Sequence, residues 1–150
     1  GEVMVMNVNN GVYTSLDAYN STLATPTEFT VGTYSSTNTS ADEYVHYVFA
    51  KSICHSYSGD GTTSNIVDFG YKPKLVIIKR ITSTGSWRIF DNQRDTDGVF
   101  DNSLELNDST AESAIANGMT LTDTGVIIGT SNSELNAAGS TYILIAIPET

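Results

Sequence analysis

The chain is poor in the residues that cross-link a protein or give it positive charge. It has a single cysteine, Cys54, which permits no internal disulfide, and its 150 residues are enough to bury a core without one. Seven Lys and Arg stand against seventeen Asp and Glu, which gives a net charge of −10. Nucleic acids and anionic membrane surfaces attract clustered cations. We therefore expect neither nucleic acid nor a membrane as a partner.

Long apolar runs are also missing. The longest, Y-I-L-I-A-I at residues 142–147, has the length of a strand, whereas a membrane helix needs about 18 apolar residues. No segment is thus predicted to span a bilayer. The sequence begins with Gly1 instead of methionine, so we expect either a processed product or part of a longer protein.

Helical periodicity is weak, and apolar residues instead alternate in short runs bounded by Gly, Asn, Asp and Ser. This pattern predicts an all-β protein, an antiparallel β-sandwich of jelly-roll or concanavalin A-like type. An N-N-G sequence at residues 9–11 predicts a hairpin turn. At most one short helical turn is predicted, at residues 109–116, with a capping pattern that starts at Ser109 or Thr110. The predicted strands are residues 3–8, 28–33, 43–50, 65–70, 74–80, 86–91, 119–130 and 141–147.

A repeat connects two parts of the chain. S-L-D-A-Y-N-S-T at residues 15–22 aligns with S-L-E-L-N-D-S-T at residues 103–110, and the strands that follow each segment align as well. Chance would rarely match a glycine, an asparagine and a tyrosine in the same order. These matched pairs are Gly32 with Gly129, Asn38 with Asn136, and Tyr44 with Tyr142.

The repeat divides the chain unequally. Residues 1–52 are predicted to be the second half of one repeat unit, and residues 53–150 a complete β-sandwich unit, with both packed together as one globular body. The strand at residues 43–50 then lacks the neighbours that its counterpart has, and its apolar faces need cover. Either the N-terminal strands pack on the complete unit of the same chain, or another chain completes the fold. We expect the first, with self-association of copies on top.

Four motifs follow one another along the chain: S-Y-S-G-D-G at residues 56–61, F-G-Y-K-P-K-L-V-I-I-K-R at 69–80, G-S-W-R-I-F-D-N-Q-R-D at 85–95 and N-A-A-G-S-T-Y-I-L-I-A-I-P-E at 136–149. This order resembles a repeated domain in structural proteins of tailed bacteriophages, especially marine phages. The resemblance covers about two thirds of the chain, and the sequence departs from it at Lys72, Lys74 and the final P-E-T. It implies a β-sandwich module at the virion surface, in a tail fibre or a capsid decoration protein.

The function implied by this resemblance is structural. The module would act through rigid assembly contacts with other virion proteins and with copies of itself, without enzymatic activity or a cofactor. The alternative is a carbohydrate-binding or host-receptor-binding adhesin module. Such a module would stack aromatic rings, with Tyr57, Tyr71 and Trp87 as candidates, on a host-surface glycan.

The only tryptophan, Trp87, lies in S-T-G-S-W-R-I-F-D-N-Q-R-D, and this stretch has three interpretations. A ligand site would expose the indole, but a lone tryptophan in a strand with Ile and Phe is predicted to be buried. The acidic residues of 91–101 have the spacing of a calcium loop, but with Gly98 at the sixth position Gln93 and Leu104 take the first and twelfth positions, where acidic ligands are needed. Arg94 would also lie inside this loop. We expect the third interpretation, a structural pair between Arg94 and either Asp91 or Asp95.

Catalytic patterns are missing from the sequence. His46 and His55 are not at metal-ligand spacing, and S-G-D-G-T at residues 58–62 does not lead from a strand into a helix as a phosphate loop does. We therefore predict no catalytic residue, no cofactor and no metal. The predicted structural residues are Trp87, Asp91, Arg94, Gly32, Gly129, Tyr44 and Tyr142.

Overall fold

A computed structural model of the chain describes residues 2–3, 9–11, 13–14, 25, 27–45 and 47–149. The chain divides into two compact units, one formed by Gly1–Met4 and Val12–Val48 and the other by Val5–Gly11 and Phe49–Thr150. The predicted division between residues 52 and 53, and the packing of both parts into one body, stay predictions. The aligned segment at residues 15–22 lies outside the described residues.

The first unit contains a short ladder and a helical turn. Strand β1 (Glu2–Val3) pairs antiparallel with β2 (Tyr13–Thr14). The hairpin turn predicted at residues 9–11 stays a prediction, because most residues between the two strands lie outside the described ones. Residues 4–8 of the predicted first strand lie outside the described residues. A single helical turn, α1, spans Ser35–Asn38.

The second unit is built on an eight-stranded antiparallel sheet, so the predicted all-β class is confirmed. A 3₁₀ turn at Lys51–Ile53 precedes the sheet, and a helical turn, α2 (Ser133–Asn136), precedes its last strand. The strands are β3 (Cys54–Ser58), β4 (Asn65–Asp68), β5 (Pro73–Arg80), β6 (Arg88–Asp91), β7 (Val99–Glu105), β8 (Ser113–Leu121), β9 (Gly125–Ile128) and β10 (Thr141–Pro148). Their order in the sheet is β3-β10-β5-β6-β7-β8-β9-β4.

The two outer strands of this sheet, β3 and β4, follow each other in sequence. The side-chain amide of Asn65, at the start of β4, donates to the carbonyl oxygen of Ser58, at the end of β3, at 2.9 Å. The sheet is therefore nearly closed on itself. Near closure keeps unpaired edges short, and unpaired edges are where sheets aggregate.

Alternate side chains of the sheet form one hydrophobic core. In β10, residues 142, 144 and 146 are buried, and in β5 the buried core residues Val76 and Ile78 lie two positions apart, as expected for a period of two residues. The rings of Phe90 and Phe100 stack with their centroids 6.5 Å apart. Burial of this apolar area, at about 25 cal/mol per Å², is the main force that holds the sheet together. The fully or almost fully buried apolar residues are Val76, Ile78, Phe90, Phe100, Met119, Val126, Ile128, Leu135, Tyr142, Leu144 and Ala146.

The helical turn predicted at residues 109–116 is wrong. Asp108 accepts a hydrogen bond from the Thr110 amide at 2.9 Å and so closes a turn, and β8 then begins at Ser113. The alanines and glutamate here favour a helix, but Ser113 and Ala114 pair with residues 103 and 102 of β7. Cross-strand pairing has overridden local propensity. The prediction of at most one helical turn is also wrong, because α1 and α2 are both present.

The strands predicted at residues 28–33 and 43–50 are wrong as well. Apart from residue 46, which is not described, these residues form no strand. A strand needs a neighbour for its backbone hydrogen bonds. The counterpart of residues 43–50 is β10, which lies between β3 and β5. The N-terminal half-unit, residues 1–52, has no sequence that corresponds to those two strands, so the alternating pattern lacks its partners.

Candidate functional site

Trp87 is buried, with 5% of its surface exposed. It directly precedes β6, in which Phe90 points into the main core, so alternation places the indole on the opposite face of the strand. The backbone here is fixed to a neighbouring segment. The Trp87 amide donates to Oδ1 of Asn107 at 2.6 Å, and its carbonyl accepts from the Leu106 amide at 2.9 Å.

Asp91 and Arg94 form the predicted pair where β6 ends. Arg94 Nε donates to Asp91 Oδ2 at 2.7 Å, and the backbone amides of Gln93 and Arg94 both donate to Asp91 Oδ1 at 3.0 Å. The rest of the guanidinium holds the surroundings: Nη2 donates to the Ile89 carbonyl and Nη1 to Glu112, both at 3.0 Å. The guanidinium thus joins the end of β6 to the segment before β8.

The carboxylate of Asp91 makes the stability of this turn depend on pH. Burial raises the pKa of Asp91, but the hydrogen bonds from Arg94 and from the amides of residues 93 and 94 outweigh it and hold this pKa below its ordinary value. The unfolded state therefore binds the proton more readily than the folded state. The stability from this carboxylate is complete above the unfolded pKa of about 3.9, and it is lost as the pH falls through the lower folded pKa.

Asp91→Asn is expected to lower the free energy of unfolding by about 1–2 kcal/mol at pH 7, because it removes the charged acceptor of three hydrogen bonds. The difference from the parent protein should shrink as the pH falls below about 4. Urea unfolding at several pH values between 3 and 7 measures both effects. Asp123→Asn, at an exposed turn, is the control. A difference that stays constant with pH would contradict the assignment to this carboxylate.

Asp95 is the buried carboxylate of the loop that was considered for calcium. Its oxygens accept from the backbone amide of Asp101 at 3.1 Å and from the side-chain amide of Asn102 at 2.6 Å. These donors bind the carboxylate in place of Arg94, which pairs with Asp91. Burial and the nearby charges of Asp95 and Asp97 raise the pKa of Asp101. Within the described residues, no group of three or more Cys, His, Asp or Glu could hold a metal ion.

We expect thermal unfolding to be independent of calcium. Metal bound only by the folded state would raise the melting temperature, but the Asp95 oxygens already accept protein hydrogen bonds. Melting curves recorded with a chelator and with millimolar calcium should coincide, and magnesium at equal ionic strength is the control. A shift of several degrees specific to calcium would show that residues 91–101 bind it.

Arg88 is the centre of a second charged cluster in the second unit, and it was not predicted from the sequence. Its guanidinium contacts Glu105 at 2.8 Å and also pairs with Glu134, which lies in α2. The remaining nitrogen donates to the hydroxyls of Ser103 at 3.1 Å and Ser113 at 3.0 Å. The cluster is largely buried and ties β6 to β7, β8 and α2.

Asn136, at the end of α2, is a second buried polar centre. Its Oδ1 accepts from the Asp60 amide at 3.0 Å and from the Asn65 side chain at 2.9 Å. Its Nδ2 donates to Asp60 Oδ1 at 2.9 Å and to the Thr62 carbonyl at 2.8 Å. All the hydrogen-bonding capacity of this side chain serves to hold the turn between β3 and β4.

The two aligned tyrosines make the same hydrogen bonds. Tyr142 Oη donates to the Ser133 carbonyl at 2.7 Å and accepts from the Ala137 amide at 2.8 Å. Ninety-eight residues earlier, Tyr44 Oη donates to the Ser35 carbonyl at 2.8 Å and accepts from the Thr39 amide at 2.7 Å. In each case the tyrosine closes a four-residue helical turn, which supports the repeat.

The two aligned glycines, Gly129 and Gly32, lie in packed surroundings. A Cβ on Gly129 would lie 2.4 Å from the carbonyl oxygen of Asn117, so no other residue fits without a shift. Gly32 is buried, and its carbonyl accepts from the Asn38 side chain at 2.7 Å. Gly139 and its counterpart Ala41 both have positive φ angles, 73° and 68°. This backbone agreement extends the match beyond the positions found from sequence.

The aromatic residues considered for glycan binding form contacts within the protein. Tyr57 stacks on Tyr142 with the ring centroids 4.9 Å apart, and its hydroxyl donates to the Leu135 carbonyl. Tyr71 donates to the Ala146 carbonyl at 2.7 Å and lies 3.1 Å from His55 Nε2. Both tyrosines are partly exposed, whereas Trp87 is buried.

Lys79 is a buried cation that the sequence did not reveal. Its ammonium group donates to the carbonyl oxygens of Asn9 at 3.0 Å and Gly85 at 2.5 Å. Burial lowers the pKa of this lysine. Both interactions are with backbone, so Lys79 fixes the 9–11 segment and the 82–87 loop to β5.

The fold and these contacts define a class, an acidic all-β domain whose buried and half-buried charged groups bind opposite charges, backbone groups or side-chain amides of the same chain. Among the described residues, no helix has the length and apolar character to cross a membrane. The chain belongs to the family DUF7483, a domain of unknown function, whose model matches residues 1–150. No curated protein and no solved structure is significantly similar to the chain.

Proposed function

We propose that this domain is a non-enzymatic structural module of a tailed-phage virion surface, in a tail fibre or a capsid decoration protein. It acts through rigid contacts with other virion proteins and with copies of itself. The proposal is supported by the sequence resemblance and by one structural observation. The charged side chains of the second unit mainly form contacts within the protein.

The charged groups of the second unit mainly hold strands and loops together. Arg88 binds two glutamates, Arg94 binds Asp91 and Glu112, and Lys79 binds backbone carbonyls. Among the described residues, Arg80 Nε is the only buried side-chain nitrogen or oxygen without a hydrogen-bond partner. Enzymes keep reactive groups available in a cleft. Side chains used in this way favour a rigid scaffold over a catalyst.

The predicted two-layer sandwich, of jelly-roll or concanavalin A-like type, is part of the proposal. Its support is β7, which pairs with β8 through residues 99, 100, 102 and 103 and with β6 through Leu104 and Glu105. The register of the β7–β8 pairing shifts between Phe100 and Asn102. Sheets turn corners at such irregularities, so β7 is where one layer would pass into the other.

The virion assignment is tested on purified particles of the phage that encodes this sequence. Mass spectrometry is expected to find the chain in the particles at a copy number that matches the symmetry of a tail or capsid. Cryo-electron microscopy is then expected to place its eight-stranded sheet on the particle surface. Purified particles that lack the chain would overturn the proposal.

The adhesin alternative has less support in the contacts, because Trp87 is buried and the hydroxyls of Tyr57 and Tyr71 bind backbone carbonyls. Glycan-array binding by the isolated protein separates the two functions. The structural proposal expects no binding above background. Specific binding that is lost in Tyr71→Ala, with the fold retained, would favour the adhesin.

A further inference from the structure

The N-terminal half-unit exposes apolar residues at positions whose repeat counterparts in β10 are buried or half-buried. Val45, Tyr47 and Val48 are 80%, 83% and 76% exposed. By the 98-residue offset of the tyrosines, Val48 corresponds to Ala146, which is completely buried in β10. Contiguous exposed apolar residues mark a surface that binds a partner.

The complete unit shows what covers the corresponding surface. β10 pairs with β3 on one side and with β5 on the other, so both of its edges are hydrogen bonded. The turn after β3 lies against α2 so closely that a Cβ on Gly59 would be 2.3 Å from the Ala137 carbonyl oxygen. The cover therefore comes from residues 53–94, which we call the first half of the unit. Residues 95–150 are its second half.

The two halves of the complete unit also differ in net charge. The first half contains six Lys and Arg and three Asp and Glu, a net charge of +3, whereas the second half has nine acids and no Lys or Arg. Four salt bridges join the halves: Lys72 to Glu149, Arg88 to Glu105 and Glu134, and Arg94 to Glu112. The N-terminal half-unit resembles a second half in this respect, with five acids and one cation, Lys51. It lacks the cationic half that complements it.

We propose that the surface formed by residues 27–45, 47 and 48 of the N-terminal half-unit docks a cationic first half-unit, a chain segment with the sequence pattern of residues 53–94, supplied from outside residues 1–150. Residues 43–50 then form a strand between two strands of that segment, as β10 does. Such pairing is β-strand addition, in which backbone hydrogen bonds give affinity and alternate side chains give specificity.

A second copy of the chain cannot supply this segment without losing the neighbours of its own β10. Each chain carries two halves of the acidic type and one of the cationic type. If the first half of one copy bound the N-terminal half-unit of another, its own β10 would lose both neighbours. The number of unmatched acidic halves would not change, so exchange between copies gains nothing.

The test is a fusion in which a second copy of residues 53–94 precedes the full chain, joined by a flexible linker. Amide hydrogen exchange of residues 43–50 is expected to be at least about 100-fold slower in the fusion than in the parent protein, because these amides enter a sheet. Exchange as fast as in the parent protein would overturn the proposal.

Two matched variants of the fusion exclude unspecific protection. Gly59→Val in the added copy alone would collide with the carbonyl that corresponds to Ala137, and Tyr47→Asp alters a residue that is exposed in the parent protein. Both variants are expected to restore fast amide exchange of residues 43–50. The exchange of β5 to β9 in the full-chain part of the fusion should not change. Protection that survives in both variants contradicts the proposed register.

The parent protein without the added segment separates the proposal from self-association. Its mass by light scattering and its amide exchange are measured over a 100-fold range of concentration. Exchange of residues 43–50 is expected to stay fast throughout. Protection that rises with the formation of dimers would identify a second copy as the occupant and would overturn the proposal.

Discussion

Trp87→Ala is expected to lower the free energy of unfolding by about 3–5 kcal/mol, the usual cost of truncating a buried aromatic residue. The indole is almost completely buried, on the face of β6 opposite to Phe90. Its loss would leave a cavity under a segment that is fixed through the backbone of residues 87, 106 and 107. Urea unfolding followed by circular dichroism measures the change, because the variant has lost its only tryptophan fluorophore.

Trp87→Phe is the control, since it keeps an apolar ring and should cost less than the alanine variant. An alanine variant that loses less than about 0.5 kcal/mol while losing glycan binding would reverse the assignment and make Trp87 a ligand contact.

Arg88→Met is expected to destabilise the protein by about 2–4 kcal/mol, because it leaves Glu105 and Glu134 without their cation. A fully buried pair broken on one side costs more, but the carboxylates of Glu105 and Glu134 keep 17% and 26% of their side-chain surface exposed. Methionine retains the apolar stem of the arginine, so the loss reflects charge and hydrogen bonds more than volume. Thermal and urea unfolding at pH 7 measure this loss.

The triple variant Arg88→Met, Glu105→Gln, Glu134→Gln tests the cause. Neutral amides do not carry the cost of unpaired charge, so the triple variant is expected to recover part of the stability that the single variant loses. A triple variant less stable than Arg88→Met would show that the glutamates stabilise the fold through contacts other than those with Arg88.

The strands that could be predicted from sequence are those with consecutive alternating residues and partners within the chain. Residues 74–80 and 141–147 almost coincide with β5 and β10. The same pattern at residues 43–50 predicted a strand that the described residues of this range do not form. Alternation shows which side chains would face a sheet, but it does not show whether the neighbouring strands exist. β7 was missed, since V-F-D-N-S-L-E has its register shift in its middle.

The charged contacts also differ in whether they could be predicted from the sequence. Asp91 and Arg94 lie three residues apart at the end of a strand, so spacing alone suggested their pair. Arg88 and Glu134 are 46 residues apart, and Asn136 and Asp60 are 76 apart, so their meeting depends on the complete sheet. The burial of Lys79 could not be predicted for the same reason, since its partner Asn9 is 70 residues away.

The position of β10 also determines the order in which the sheet can form during synthesis. β5 to β9 are neighbours both in sequence and in the sheet, so they can pair as a meander while the chain grows. β3 and β5 must wait for the strand between them, which pairs Thr141 with Ser58 and Tyr142 with Arg80. Until residue 148 has emerged, both strands carry open edges. A nascent or truncated chain is therefore most prone to aggregate while β10 is missing, and the pairing of β10 with β3 and β5 removes this hazard.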